Sequence, residues 1–256
     1  MIRRETDNGW LLINQYDHSV LAYDIMKNWG NDQFADIIPQ NEVLLAIKEH
    51  DCGWKKWDSR AWLNISNRFP KNFMEMYTND QYKIWSESFE MHSGKNPYAS
   101  ALIALHFLKF NNQTLIKNPD NRTSLILKNK INWFVSKMLD INFTSEEING
   151  LLPSDVGVNL KFLQFGDIIS LTLCHGWAST RIEEVPVNYH GKEVIVDLIS
   201  EDGLNFKVKP NPFSKDKLYF EISAKELNEK EFNTQEKLDE AFSNSKEVRL
   251  SFSISK

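Results

Sequence analysis

Cysteine is scarce in this chain. Its two cysteines, Cys52 and Cys174, cannot build a disulfide framework, so the reading starts from a reducing, cytoplasmic compartment. Long apolar runs are missing as well. Trp10-Leu11-Leu12-Ile13, which follows Arg3-Arg4, is too short for a secretory core. No other run approaches the roughly 20 apolar residues that cross a bilayer, so no membrane partner is expected. Basic residues are not in excess either: the net charge of −5 argues against a dedicated nucleic-acid binder, whose affinity is built from many cationic contacts. With 41% hydrophobic and 25% charged residues the composition is that of a globular protein. A length of 256 residues allows one large core, or a core with a small second domain.

What the chain does have is a concentration of metal-competent side chains at a helix end. Val43-Leu44-Leu45-Ala46-Ile47 reads as a buried helix that runs into Glu49-His50-Asp51-Cys52-Gly53-Trp54, with Gly53 free to end it. An imidazole beside a carboxylate offers one nitrogen and one hard oxygen, a donor pair that suits zinc, iron or manganese better than calcium. Alone, the same pair reads as a capped helix end with a solvated Asp. Two other segments strengthen the metal reading. His18 lies in Gln15-Tyr16-Asp17-His18-Ser19-Val20, which becomes amphipathic after a capping Asp. Asp167 is the only charge in Leu163-Gln164-Phe165-Gly166-Asp167-Ile168-Ile169, and a carboxylate buried there needs a cation partner or a proton. Glu49, turned roughly 100° from His50 along the helix, is not assigned the role of orienting a water.

His18, then His50-Asp51, then Asp167 with Ser170-Leu171 after it, resembles the H…HD…D signature of the HD superfamily of metal-dependent phosphohydrolases. The wider pattern is also similar to an uncharacterised domain-of-unknown-function family associated with that superfamily. It comprises the opening Met1-Ile2-Arg3-Arg4-Glu5, Gln15…His18, His50-Asp51-Cys52-Gly53-Trp54, Leu105-His106-Phe107 and Pro210-Asn211-Pro212-Phe213. The resemblance implies that His18, His50, Asp51 and Asp167 hold one divalent transition metal (Fe, Mn, Zn or Ni), with His50 and Asp51 central to catalysis. In the dinuclear branch two histidines fall between the HD pair and the last Asp, which puts His92 and His106 forward as ligands of a second ion. The implied activity is hydrolysis of a nucleotide or other small phosphate ester, as a phosphomonoesterase or phosphodiesterase. Two alternatives are a di-iron oxygenase of the HD type and a non-catalytic ligand-binding protein. Many HD phosphodiesterases carry a phosphate-binding Lys soon after the HD pair, and here Trp54 stands in its place. The GYP triplet of the cyclic-dinucleotide branch is also missing, with Gly94-Lys95-Asn96-Pro97-Tyr98 holding the same residue types with insertions. Anion contacts are therefore sought in Arg68, Lys95 and Arg181, with Trp54 against a substrate ring.

The remaining segments set the expected architecture. Residues 54 to 80, with Trp54, Trp57, Trp62, Phe69, Phe73 and Tyr77 among polar residues, read as a packed loop over a site. Small residues Ala99, Ser100, Ala101 and Ala104 allow close helix packing and turn His106 inward. A polar stretch around Asn118-Pro119-Asp120-Asn121 reads as a loop, followed by a helix from Leu125 to Leu139 and a second loop ending at Pro153-Ser154-Asp155. His175, about two helical turns and roughly 12 Å beyond Asp167, is a rim residue. After about residue 182 five strand-like runs alternate with turns at His190-Gly191-Lys192 and Asp202-Gly203, and one acidic helix spans about Thr234 to Ser243. The expected fold is mainly α, an HD-like helical core over 1–181, with a small antiparallel β-sheet over 182–256 packed on it (α+β overall). Expected partners are a small phosphorylated molecule and, as an option, a second copy of the chain.

Overall fold

A computed structural model describes residues 1–141 and 152–256. The chain opens with a hairpin of β1 (Ile2–Glu5) and β2 (Trp10–Ile13), then runs through α1 (Gln15–Met26) and α2 (Gln40–Glu49). An irregular stretch with three single 3-10 turns leads to α3 (Thr78–Glu90), α4 (Pro97–Lys117), α5 (Arg122–Met138) and α6 (Ser154–His175). The chain finishes with β3 (Ser179–Pro186), β4 (Glu193–Ser200), β5 (Asn205–Lys209), β6 (Lys217–Leu227), α7 (Gln235–Ser243) and β7 (Lys246–Ser255).

The sheet corrects the expected fold class. Seven strands join in the order β1-β2-β6-β7-β5-β4-β3, and β5 runs parallel to β7 while every other neighbouring pair is antiparallel. The protein is therefore α/β with a large mixed sheet, and not a mainly α protein carrying a small C-terminal antiparallel one. Four of the five late strands coincide with their alternating runs, while the run at Val185–Tyr189 is strand only as far as Pro186, because β3 begins earlier, at Ser179. What alternation does not show is the partner. Trp10 pairs with Leu227 and Leu12 with Lys225, so the N-terminal hairpin extends the C-terminal sheet. The run Trp10-Leu11-Leu12-Ile13 is wholly buried because successive side chains enter different cores. Leu11 and Ile13 face the main core, while Trp10 and Leu12 face a smaller cluster with Leu227, Phe232, Leu238 and Phe242. The main core runs without interruption from Ile2 to Ile254, and β3 spans the 181/182 boundary.

Helix ends follow local chemistry. Asn121 caps α5 by accepting from the Ser124 N–H at 3.0 Å. Gly176 closes α6 in the left-handed region (φ 68°, ψ 35°), its N–H reaching Thr172 and Leu173 carbonyls. The loop expected at Asn118-Pro119-Asp120-Asn121 is found there, between the end of α4 at Lys117 and the start of α5 at Arg122. The loop ending at Pro153 falls largely outside the described residues. Between residues 54 and 80 the structure is irregular, as expected, and Asn72 with Glu75 forms a capping box over one of its turns. Among the described residues no helix is long and apolar enough to cross a membrane.

Candidate metal centre

Four helices bring one side chain each, or a pair, to a common point. His18 comes from the first turn of α1, His50 and Asp51 from the end of α2, His106 from α4 and Asp167 from α6. All five are buried, none more than 5% exposed. The packing that places them is tight at two glycines. A side chain on Gly53 would sit 2.2 Å from the Ile84 carbonyl of α3, so only glycine lets the chain turn there directly after the His50-Asp51 pair. A side chain on Gly166 would sit 2.8 Å from Met26, so α1 and α6 approach closely beside Asp167.

The donor atoms meet at ligand spacing. His18 Nε2 lies 2.9 Å from Asp51 Oδ2 and 3.8 Å from Asp167 Oδ1. His50 Nε2 lies 3.7 Å from Asp51 Oδ2 and 3.4 Å from Asp167 Oδ1. Ligands about 2.1 Å from one ion stand roughly 3.0 Å apart in an octahedron and 3.4 Å apart in a tetrahedron, so these pairs lie near ligand spacing, and His18, His50 and Asp51 form one metal-competent group and His50, His106 and Asp167 another. His106 Nε2 joins from the other side, 3.6 Å from Asp167 Oδ2, and its Nδ1 is buried without a partner.

Tautomers decide what the site needs. His50 Nδ1 stands 2.7 Å from the Ile47 carbonyl, which only accepts, so Nδ1 carries the proton. His18 Nδ1 stands 2.9 Å from Ser170 Oγ, whose own hydrogen goes to the Asp167 carbonyl at 2.9 Å. Ser170 therefore accepts and His18 Nδ1 donates. Both neutral rings then aim an Nε2 lone pair at carboxylate oxygens, an arrangement that repels unless a proton or a metal ion sits between. The electrostatics agree. Burial disfavours the His50 imidazolium, yet Asp51 and Asp167 outweigh it and raise the group to about 9. Burial opposes the Asp167 charge too, but His50, His106 and His18 hold it down at about 2. Burial lowers His106 to about 4 against the pull of Asp167, so this ring stays neutral. The buried His/Asp clusters can bind a metal ion.

The other expected residues lie apart from this centre. His92 pairs with Glu49 at 3.3 Å instead of facing His106. Trp54 is buried in the main core. Arg68 is exposed and paired with Glu231 and Asn233, and Arg181 is exposed on β3 at 3.6 Å from Asp197. Lys95 is exposed in the turn before α4. A cleft of about 1060 Å³ between Asn31–Gln33 and strands β4 and β5 contains none of the five site residues.

A model of the family described as a protein of unknown function, DUF3891, matches residues 1–229. The chain belongs to the DUF3891 family. No curated protein and no solved structure matches it. The matched stretch of this DUF3891 chain contains every residue of the centre and ends just after β6. Two features of the centre carry weak sequence signals: the Ile47 carbonyl that fixes His50 is a backbone group, and Tyr16, Glu49 and Cys52 take part in a neighbouring cluster that only the fold brings together. For Ser170 a signal existed, its place one helical turn after Asp167.

Proposed function

We propose that this protein is a metal-dependent phosphohydrolase of the HD type, acting on a nucleotide or another small phosphate ester. The observation that supports it most is the pair of histidine Nε2 lone pairs, fixed by Ile47 and Ser170, that converge with Asp51 and Asp167 at single-ion spacing. The reaction class rests on the order of those ligands along the chain. A divalent transition metal (Fe, Mn, Zn or Ni) held there would supply Lewis acidity, acidifying a water and neutralising charge on a phosphoryl oxygen. The chain's own residues would do the rest. Ser170 and the Ile47 carbonyl hold the rings in the ligating tautomer. The two carboxylates supply the negative charge that selects a dication over a proton. Two buried free cysteines fit a reducing, cytoplasmic setting.

A second ion is the other reading that an observation favours. His50, His106 and Asp167 form a group that shares only His50 with the group of His18, His50 and Asp51, so a second ion would draw on His106 and Asp167. A di-iron centre of that form would favour oxygenation. Elemental analysis of the purified protein, followed by a screen against nucleotides and simple phosphate esters, tests the proposal. The expected result is bound metal, with the share held by the buried centre and hydrolysis lost together in His18→Ala. A coloured, redox-active iron centre without phosphatase activity would replace the hydrolase reading with the oxygenase one. Absence of metal after reconstitution would leave neither.

A further inference from the structure

A second set of donors surrounds the same α2 terminus, nearer to solvent. Glu49 precedes His50, and the helical rotation of roughly 100° per residue turns its carboxylate away from the buried centre. Cys52, one turn further on, returns to the Glu49 side, and His92 arrives from just beyond the end of α3. One donor atom from each lies within 4.8 Å of the other two. Glu49 Oε2 and His92 Nε2 stand 3.3 Å apart, close to the roughly 3.3 Å edge of a tetrahedron with 2.0 Å bonds.

We propose that Glu49, Cys52 and His92 form a second divalent-cation site, distinct from the buried four-ligand centre and suited to zinc. The donor set is carboxylate, thiol and imidazole, the three side-chain types that bind zinc, and three protein ligands leave a fourth position for water or a small ligand. Tyr16 donates its hydroxyl to Glu49 Oε1 at 3.0 Å, fixing the carboxylate so that Oε2 is the oxygen left to coordinate. Access is open on one side, because the His92 side chain is 29% exposed. Lys55 is the competing charge, its Nζ 3.9 Å from Glu49 Oε2 and 3.6 Å over the Tyr16 ring. Its side chain is 49% exposed and can swing into water when a cation takes its place. The Cys52 thiol makes only a weak contact with the Ser88 carbonyl at 3.5 Å, and it releases its proton to solvent when it takes a cation as thiolate. The site does not depend on the reaction proposed for the buried centre.

Cobalt(II) added to metal-stripped full-length protein tests this, because cobalt bound to thiolate gives an intense near-ultraviolet charge-transfer band and cobalt bound to His and Asp alone does not. The band is expected in the wild type, at one equivalent, and in His18→Ala, which removes only the buried centre. It is expected to vanish in Cys52→Ser and to need at least tenfold more cobalt in His92→Ala. A wild type without the band, a band that survives Cys52→Ser, or one lost in His18→Ala would overturn the proposal. X-ray absorption on wild-type protein loaded with zinc supplies a test that needs no variant. One sulfur neighbour at about 2.3 Å on part of the zinc is expected, and a purely nitrogen and oxygen shell would overturn the site.

Discussion

Raising the pH should weaken the metal-free fold and strengthen metal binding at the same time, through one proton on His50. That ring is raised from its ordinary 6.5 to about 9 by Asp51 and Asp167 acting against burial. A group whose folded pKa is raised contributes its stability fully below the ordinary value and loses it as the pH climbs through the folded one. With metal stripped, thermal stability should therefore fall between about pH 6.5 and pH 9. A cation needs the His50 Nε2 lone pair and must expel that proton. His106, lowered to about 4 by burial, and Asp167, held at about 2 by its histidine neighbours, have no proton to give in this range. Binding should thus release about one proton, and affinity should rise about tenfold per pH unit, or about a hundredfold between pH 7 and pH 9. At fixed excess metal this adds about 2.7 kcal/mol to the metal-induced stabilisation. For a chain of this length that corresponds to roughly 5 to 10 °C in Tm. Differential scanning calorimetry at pH 7 and pH 9, with chelator and with metal, reads both trends in one set of samples. A metal-induced rise in Tm that is equal at the two pH values would refute the assignment of His50 as a ligand that trades a proton for a cation.

Three further perturbations separate positioning from packing. Ser170→Ala leaves His18 Nδ1 buried without an acceptor, so about 1–3 kcal/mol of stability should be lost, and metal affinity should fall about 10- to 100-fold with the metal-to-protein ratio still reaching the wild-type limit at high metal. An unchanged dissociation constant by calorimetric titration would show that the serine does not hold the ring. Gly53→Ala forces a methyl group against the Ile84 carbonyl at 2.2 Å, and a loss of about 1–3 kcal/mol in denaturant unfolding is expected, together with weaker metal binding as the His50-Asp51 turn shifts. Wild-type stability in that variant would contradict the close approach of the two segments. Phe252→Ala, on strand β7 between β6 and β5, should cost about 3–5 kcal/mol and unfold helix and sheet in one transition by circular dichroism, because the main core spans both. A separate, earlier loss of strand signal would show that the sheet is an accessory layer.

Much of the centre was legible in the sequence because it is written as chemistry that burial does not tolerate unaided. Asp167 as the sole charge of an apolar helix demanded a counter-charge, and His50-Asp51 at the end of a buried helix offered one; the structure brings these together with His18 and His106. The helices and the late strands were equally legible, since periods of 3.6 and 2 are local. The partners of those strands were not. Ladder hydrogen bonds join backbone groups of any sequence, so nothing in Trp10-Leu11-Leu12-Ile13 names Leu227 as its neighbour, and nothing in β5 says that it lies parallel to β7. His92 shows the same limit at the level of a side chain: chain order put it beside His106, and the turn of α2 together with the end of α3 gave it to Glu49 instead. The sequence by itself determined which residues must be paired with a cation or a proton. The tertiary structure alone decided which of them share one, because distance in space is set by how helices pack and strands align, and neither is encoded within any single segment.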